Sequence, residues 1–257
     1  MDELEQFEAV LQELGELMLD LGDLASSVVL IGGQVLALEA RQRGRSGIIE
    51  VETDTGDVVP RGFTLEPDLL FDLDGSEFTA GRLPEILRHR GYQRVLRGFR
   101  WSKSLGETFI HLDLFAPEGV EPGDLPTFMT PLPDASLVLR RRKRIELSVG
   151  GRALRIAIPD AVGFLAMKTR AKFELRPEET KDSFDIFAYV KLVGTGAVLE
   201  ALRQAGQEGR DIHKKLLALF YDRTSSGVRD VVTYASTLEP EQQELLAQAV
   251  VDLFAEF

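Results

Sequence analysis

Apolar residues recur at three- and four-residue spacing from residue 3 to 21. Leu4, Phe7, Val10, Leu11, Leu14, Leu17 and Met18 fall on one stripe, which predicts an amphipathic helix that packs rather than reacts. Gly22 and Asp23 end it. The continuous apolar run Val28-Val29-Leu30-Ile31 predicts a buried strand, Gly32-Gly33 follows at once, and Val35, Leu36 and Leu38 open a second helix. Residues 41 to 62 are charged and Gly-rich, with a short strand expected over Ile48-Ile49-Glu50-Val51-Glu52 and a turn at Thr55-Gly56-Asp57. Phe63 to Phe71 reads as a strand with a polar mouth and an apolar body, closing in Asp72-Leu73-Asp74-Gly75. A helix is expected from Leu83 to Arg90, after an N-terminal signal at Thr79 and before Gly91. Tyr92 to Val95 and Phe109 to Phe115 alternate as strands. In the second, His111, Asp113 and Phe115 share one face and Ile110, Leu112 and Leu114 the other.

Pro117 to Pro133 reads as loop, and Ile145–Val149 and Arg152–Ile156 flank Gly150-Gly151 as a two-residue hairpin. Pro159-Asp160 starts a helix through Met167-Lys168 to Leu175, and a link at Arg176 to Thr180 leads to a helix carrying Lys181-Asp182-Ser183-Phe184-Asp185. Three more helices are expected: Val198 to Ala205, Ile212 to Tyr221, and Glu239 to Phe257 with Pro240 in its first turn. His213 lies beside an apolar stripe and reads as core or rim. The pattern is α+β, with strands concentrated in a first domain, residues 1–158, and helices in a second, residues 159–257.

Composition narrows the partners. The 257 residues suffice for a sizeable core, and a formal net charge of −12 opposes coating of nucleic acid by bulk electrostatics. A polyanion would need a local patch. Arg140-Arg141-Arg142-Lys143-Arg144 is the dense basic run, and it reads either as such a patch, for RNA, or as a solvated face. With no cysteine there is no disulfide framework, thiolate metal site or cysteine nucleophile, which fits a reducing interior. The start, Met1-Asp2-Glu3-Leu4-Glu5, is acidic where a secretory signal is basic, and no apolar run is long enough to span a bilayer. The expected location is cytoplasmic, without membrane contact.

Candidate chemistry lies in the carboxylates. Glu66 and Asp68, two apart on a strand, would project side by side. Two such groups repel unless a cation lies between them, and Mg²⁺ accepts carboxylate and phosphate oxygens together. The alternative for the pair alone is a strand end with its polar residues in water. Gly32-Gly33, between a strand and a helix, would bring backbone N–H groups and a positive helix end to a phosphate, or simply close a turn. Asp113 among apolar neighbours is a third carboxylate, or a paired one. Asp182 and Asp185 are neighbours on a helix face with Lys181 four before Asp185, which a surface ion pair would also explain.

In their order along the chain these features resemble the nucleotidyltransferase superfamily, most closely its AbiEii-like branch of toxin and abortive-infection proteins. The resemblance rests on Leu30-Ile31-Gly32-Gly33, Thr64-Leu65-Glu66-Pro67-Asp68, Leu112-Asp113-Leu114, Met167-Lys168-Thr169-Arg170-Ala171, Arg176 and Lys181-Asp182-Ser183-Phe184-Asp185, within residues 25 to 192. It implies a nucleotidyltransferase-like mixed β-sheet with flanking helices, followed by a C-terminal helical bundle. It also implies Mg²⁺-dependent transfer of a nucleoside monophosphate from an NTP to a macromolecular acceptor, tRNA among the candidates, in a toxin-like role with an antitoxin partner. Position by position, Gly32 and Gly33 would hold the triphosphate and Glu66, Asp68 and Asp113 the Mg²⁺. Lys168 and Lys181 would neutralise phosphate charge, with Asp182 and Asp185 orienting them or the acceptor. Three departures stand out: the long segment between the glycines and Glu66, which implies an insertion over residues 41 to 62; glutamate for the usual first aspartate; and Pro67 within the motif. These departures leave a second reading, a catalytically impaired relative that binds a nucleotide or a partner protein.

Overall fold

In the computed structural model the apolar stripe of residues 3 to 21 becomes α1 (Glu3–Leu21), with Phe7, Val10, Leu14 and Leu17 buried. The structure describes residues 3–52, 56, 58–62, 64–74, 81–95, 98–106, 108–121 and 123–257. Along the chain follow β1 (Val28–Ile31), α2 (Gln34–Gln42), β2 (Ile49–Glu52), β3 (Val58–Gly62), β4 (Asp68–Phe71), α3 (Arg82–His89), β5 (Gln93–Arg94), β6 (Arg100–Leu105) and β7 (Thr108–Pro117). Then come β8 (Thr130–Leu132), α4 (Ala135–Arg140), β9 (Arg142–Val149) and β10 (Arg152–Pro159). The rest is helical: α5 (Ala161–Arg170), α6 (Thr180–Val193), α7 (Thr195–Gln204), α8 (Gln207–Phe220), α9 (Ser226–Tyr234) and α10 (Pro240–Ala255). The chain divides into two units, residues 1–35 with 63–160 and residues 36–62 with 161–257. The break before Ala161 falls at the end of the strand-rich part, but residues 36–62, expected in the first domain, cluster with the helices.

Unit 1 is built on a mixed sheet in the order β5-β6-β7-β4-β1-β10-β9, with β8 also paired to β7. β1 lies inside it, antiparallel to β4 and parallel to β10, and is buried at all four positions. That explains its unbroken apolar run: a strand covered on both faces has no polar side to show. At Gly15 a Cβ would overlap the Val149 side chain, so glycine lets α1 lie close against β9. Gly150 and Gly151, both with positive φ, close the β9–β10 hairpin, where Val149 pairs with Arg152.

Unit 2 joins the β2–β3 hairpin to helices α5 to α10. Phe164 stacks on Tyr189 at 4.4 Å, Phe184 on Tyr234 at 4.3 Å and Phe220 on Phe254 at 4.0 Å. The Lys191 ammonium donates to the Glu52 carbonyl at 2.6 Å, tying the hairpin to α6. Where the pattern predicts one strand between residues 41 and 62 there are two. β6, β8, α4 and α9 also lie outside the predicted elements. Thr55, Asp57, Phe63, Gly75 and Thr79, used in the sequence reading, lie outside the described residues. Among the described residues no helix is long and apolar enough to cross a membrane.

Candidate functional site

Four neighbouring strands of unit 1 place one residue each in a single lateral row. Ile31 on β1 is the partner of Asp68 on β4, Asp68 of Asp113 on β7, and Asp113 of Arg100 on β6. Gly32 follows Ile31 directly, so the register of the sheet brings the glycine turn, Asp68 and Asp113 together. Gly32 has φ +74°, in the left-handed region that a side chain disfavours, and a Cβ on it would run into Oδ2 of Asp68. The Asp68 carboxylate therefore lies over the turn. Gln34, at the start of α2, donates from Nε2 to the Thr64 carbonyl at 2.6 Å, while its Oε1 is buried without a donor.

β4 begins at Asp68, so Glu66 precedes the strand instead of sharing it. The segment is nevertheless held against β7: His111 N–H donates to the Leu65 carbonyl at 3.0 Å and Asp113 N–H to the Pro67 carbonyl at 3.1 Å. Pro67 thus enters the ladder through its carbonyl, and its missing N–H is not needed there. Glu66 N–H donates to the Thr64 hydroxyl at 3.1 Å, which shapes the approach.

Arg100, which the sequence reading passed over, dominates the electrostatics. Its Nε and Nη2 donate to the two oxygens of Asp113, each at 2.7 Å, and Nη1 and Nη2 reach Glu66 at 3.3 and 3.4 Å. Asp113 is 6% exposed, so a charge-assisted fork is what makes its burial tolerable. The bond to Asp113, more than burial opposes it, holds the Arg100 pKa above its ordinary value. The donor chemistry of the row fits Mg²⁺. It offers carboxylate oxygens, the donor type that Mg²⁺ takes, with Arg100 set against Glu66 and Asp113. Its side-chain placement gives both Asp113 oxygens to Arg100. Among the described residues no three Asp, Glu or His side chains stand close enough to share an ion.

The remaining predicted residues form a buried ion-pair cluster in unit 2. Lys168 on α5 is 4% exposed, and its ammonium lies 2.9 Å from Asp182 and 2.5 Å from Asp185, both on α6. Burial pulls the Lys168 pKa down, and Asp185 and Asp182 more than reverse that, so it stands above the ordinary value. For both aspartates burial, the largest single influence, raises the pKa, and Lys168 together with Arg176 at Asp182 and Arg61 at Asp185 outweighs it, leaving them below the carboxylate range. Arg61 at the end of β3, a second residue missed from sequence, donates from Nε to Asp185 at 2.7 Å, and Arg176 donates to Asp182 at 2.6 and 3.0 Å. A cleft of 530 Å³ in unit 2 is lined by the expected strand Ile48-Ile49-Glu50-Val51-Glu52 with Arg45 and Lys191, and includes none of the predicted glycine, carboxylate or lysine site residues. Of the basic run, Arg140 ends α4 and Arg142 to Arg144 begin β9 at the sheet edge, with Arg142 3.1 Å from Asp72. His213 accepts a rim role, its Nε2 2.9 Å from the Phe257 carbonyl.

No protein-family model matches the chain, and no curated protein matches it. Among solved structures it is similar to the crystal structure of an antigenic nucleotidyltransferase-like protein from Paracoccidioides brasiliensis. The two are 18% identical, with a TM-score of 0.45 over 84% of this chain and 92% of that one.

Proposed function

We propose that the protein is a nucleotidyltransferase that moves a nucleoside monophosphate from an NTP to a macromolecular acceptor, with the acidic row of unit 1 as its reacting centre. The observation that carries this reading is the shared register of Ile31, Asp68 and Asp113, which sets two carboxylates beside a left-handed glycine turn. Gly32 and Gly33 would present backbone N–H groups to the triphosphate, and Gln34 Oε1 offers an acceptor to a ligand hydroxyl or amine. Glu66, Asp68 and Asp113 would hold Mg²⁺, which when bound offsets the repulsion between carboxylates and triphosphate and steadies charge building on the phosphoryl oxygens. Asp113 can join only when Arg100 gives up its oxygens. In unit 2, Asp182 and Asp185 hold Lys168, whose ammonium is already engaged, and the neutralising of phosphate charge by Lys168 and Lys181 follows from the resemblance alone. The macromolecular acceptor and a toxin-like role with an antitoxin partner follow from the resemblance, and the dense basic run Arg140–Arg144 is where an RNA acceptor would lie.

The Arg100–Asp113 fork favours one alternative: if Arg100 stays, the protein binds a nucleotide or a partner and transfers nothing. Incubation with each labelled NTP, Mg²⁺ and total tRNA separates the two. Label on RNA that disappears with Asp68→Asn supports transfer, and NTP binding without label supports the alternative. Neither binding nor label overturns both.

A further inference from the structure

β9 is the last strand in the order of the unit 1 sheet, and among the described residues no strand lies beyond it. Which of its backbone groups face outward follows from the register. Val149 and Arg152 flank the two-residue turn Gly150-Gly151, a position at which antiparallel partners exchange both backbone bonds. Further along the same ladder the Asp160 N–H donates to the Arg141 carbonyl at 2.6 Å. The odd-numbered residues of β9 therefore bond to β10. Arg142, Arg144, Glu146 and Ser148 turn their N–H and C=O groups to the outer edge, and all four are exposed.

Such an edge accepts a further strand unless its side chains forbid it. For antiparallel pairing with a second β9, only registers that set even residues opposite even residues match the outward groups of both strands. A two-fold axis at Lys143 sets Arg142 opposite Arg144, one at Arg144 sets that residue opposite its own copy, and one at Glu146 does the same for the glutamate. Each puts like charges face to face, and an axis at Leu147 joins no charges at all. An axis at Ile145 is different. It sets Arg144 opposite Glu146 of the second copy on both sides of the axis, with Arg142 opposite Ser148. Within its own chain Arg144 faces Ala157 across the ladder, and among the described residues it makes no ion pair. Glu146 meets Arg155 at 3.1 Å on the β10 side, so in this register it would lie between two cations.

We propose that the outer edge of β9 docks a second copy of this chain, strand against strand and antiparallel, about a two-fold axis at Ile145. Backbone bonds supply the attraction and the Arg144–Glu146 contacts fix the register. The same charges that reject the other centred registers guard the edge against indiscriminate pairing and admit this one. The surface shares no residue with the acidic row or with the ion-pair cluster of unit 2, so the inference does not depend on transfer chemistry.

The test is sedimentation velocity of the full chain at rising concentration. Wild type is expected to pass from the chain mass of 28.6 kDa to twice that value. Arg144→Glu sets acid against acid across the axis and Glu146→Arg sets base against base, so each alone should raise the dimer dissociation constant by at least about tenfold. In an equal mixture the two variants meet with opposite charges at both contacts and should recover the dimer, a result that loss of fold cannot give. Both positions are exposed, and melting temperatures matching wild type establish that the variants fold. A wild type that stays at the chain mass at every concentration overturns the proposal and leaves the basic run to RNA. A dimer that neither change weakens overturns it too, as does a mixture no more associated than its components.

Discussion

Arg100 grips Asp113 with both arms of one fork, Nε on Oδ1 and Nη2 on Oδ2, each at 2.7 Å. A guanidinium in this geometry neutralises the carboxylate as a divalent ion would, and the two compete for the same oxygens. Arg100→Met should therefore tighten Mn²⁺ binding at the row, by about tenfold, because a positive charge leaves and both Asp113 oxygens open. The same change strands a buried carboxylate and should cost about 1–3 kcal/mol of stability in metal-free buffer. Mn²⁺ titration followed by electron paramagnetic resonance checks the first outcome and chemical unfolding the second. Equal Mn²⁺ affinity in wild type and variant would show that Arg100 does not gate the row.

Gly32→Ala should be destabilising for two separable reasons. The left-handed backbone costs about 1–2 kcal/mol for any side chain, and the new methyl group also displaces the Asp68 carboxylate. Adding Asp68→Ala should remove the second part and leave the first. A double-mutant cycle by urea unfolding tests this, and strict additivity would mean that the two residues are not in contact.

Lys168→Met should cost about 3–5 kcal/mol, because it leaves two buried carboxylates without their shared cation. The pH dependence has a definite sign. In wild type the aspartates' pKa values lie below the ordinary 3.8, so their stabilisation is complete above that value and is lost as pH falls through the folded-state values. Lys168 lies above 10.5, so its contribution is complete below that value and is lost as pH rises beyond the folded one. In Lys168→Met the carboxylates take up protons more readily, and the deficit should shrink on acidification. Unfolding curves followed from neutral pH down through the ordinary carboxylate value of 3.8 would show it, and a deficit constant across that range would contradict it.

The basic run yields a prediction with two readouts. Changing Arg140, Arg142 and Arg144 to Ser strips charge from the end of α4 and the start of edge strand β9, and breaks the Arg142–Asp72 pair. If the run holds an RNA acceptor, the salt slope of RNA binding should flatten by about two or three units. A salt titration of RNA binding reads this. An unchanged slope with more light scattering would instead mark the run as charged protection of an edge strand.

What was legible in the sequence follows physical rules of short range. The apolar run of β1, the turn glycines and the alternation of β7 reveal themselves locally, whereas the pairing of Asp68 with Asp113 depends on the register of β4 against β7, which no local pattern sets. β6 does not reveal itself. Its one large buried side chain is Trp101, and Lys103 is partly buried where it reaches Glu13 at 2.7 Å and lies over the Tyr92 ring, so the strand shows no alternation and Arg100 no reason to be noticed. Arg61 was hidden for a different reason. It sits in a segment that reads as loop, and its partner Asp185 lies 124 residues away, a distance no spacing argument spans. α9 is short, with only Val228 and Val231 as its buried large residues, too few for the periodicity to register.

The pairing of β1 also fixes an order of events during synthesis. Val29 has Leu70 on one side and Ala157 on the other, and between β1 and β4 the ribosome must first release residues 36–62, which belong to unit 2. At ~5–20 residues per second, on the order of ten seconds separate the emergence of β1 from that of β10. Until β4 emerges both edges of this wholly apolar strand are open, and from then until β10 arrives one edge stays open, the kind of surface that joins another nascent chain. Chains halted before residue 157 would therefore aggregate, and unit 1 becomes safe from its neighbours only when its penultimate paired strand in the sheet, β10, arrives beside β1.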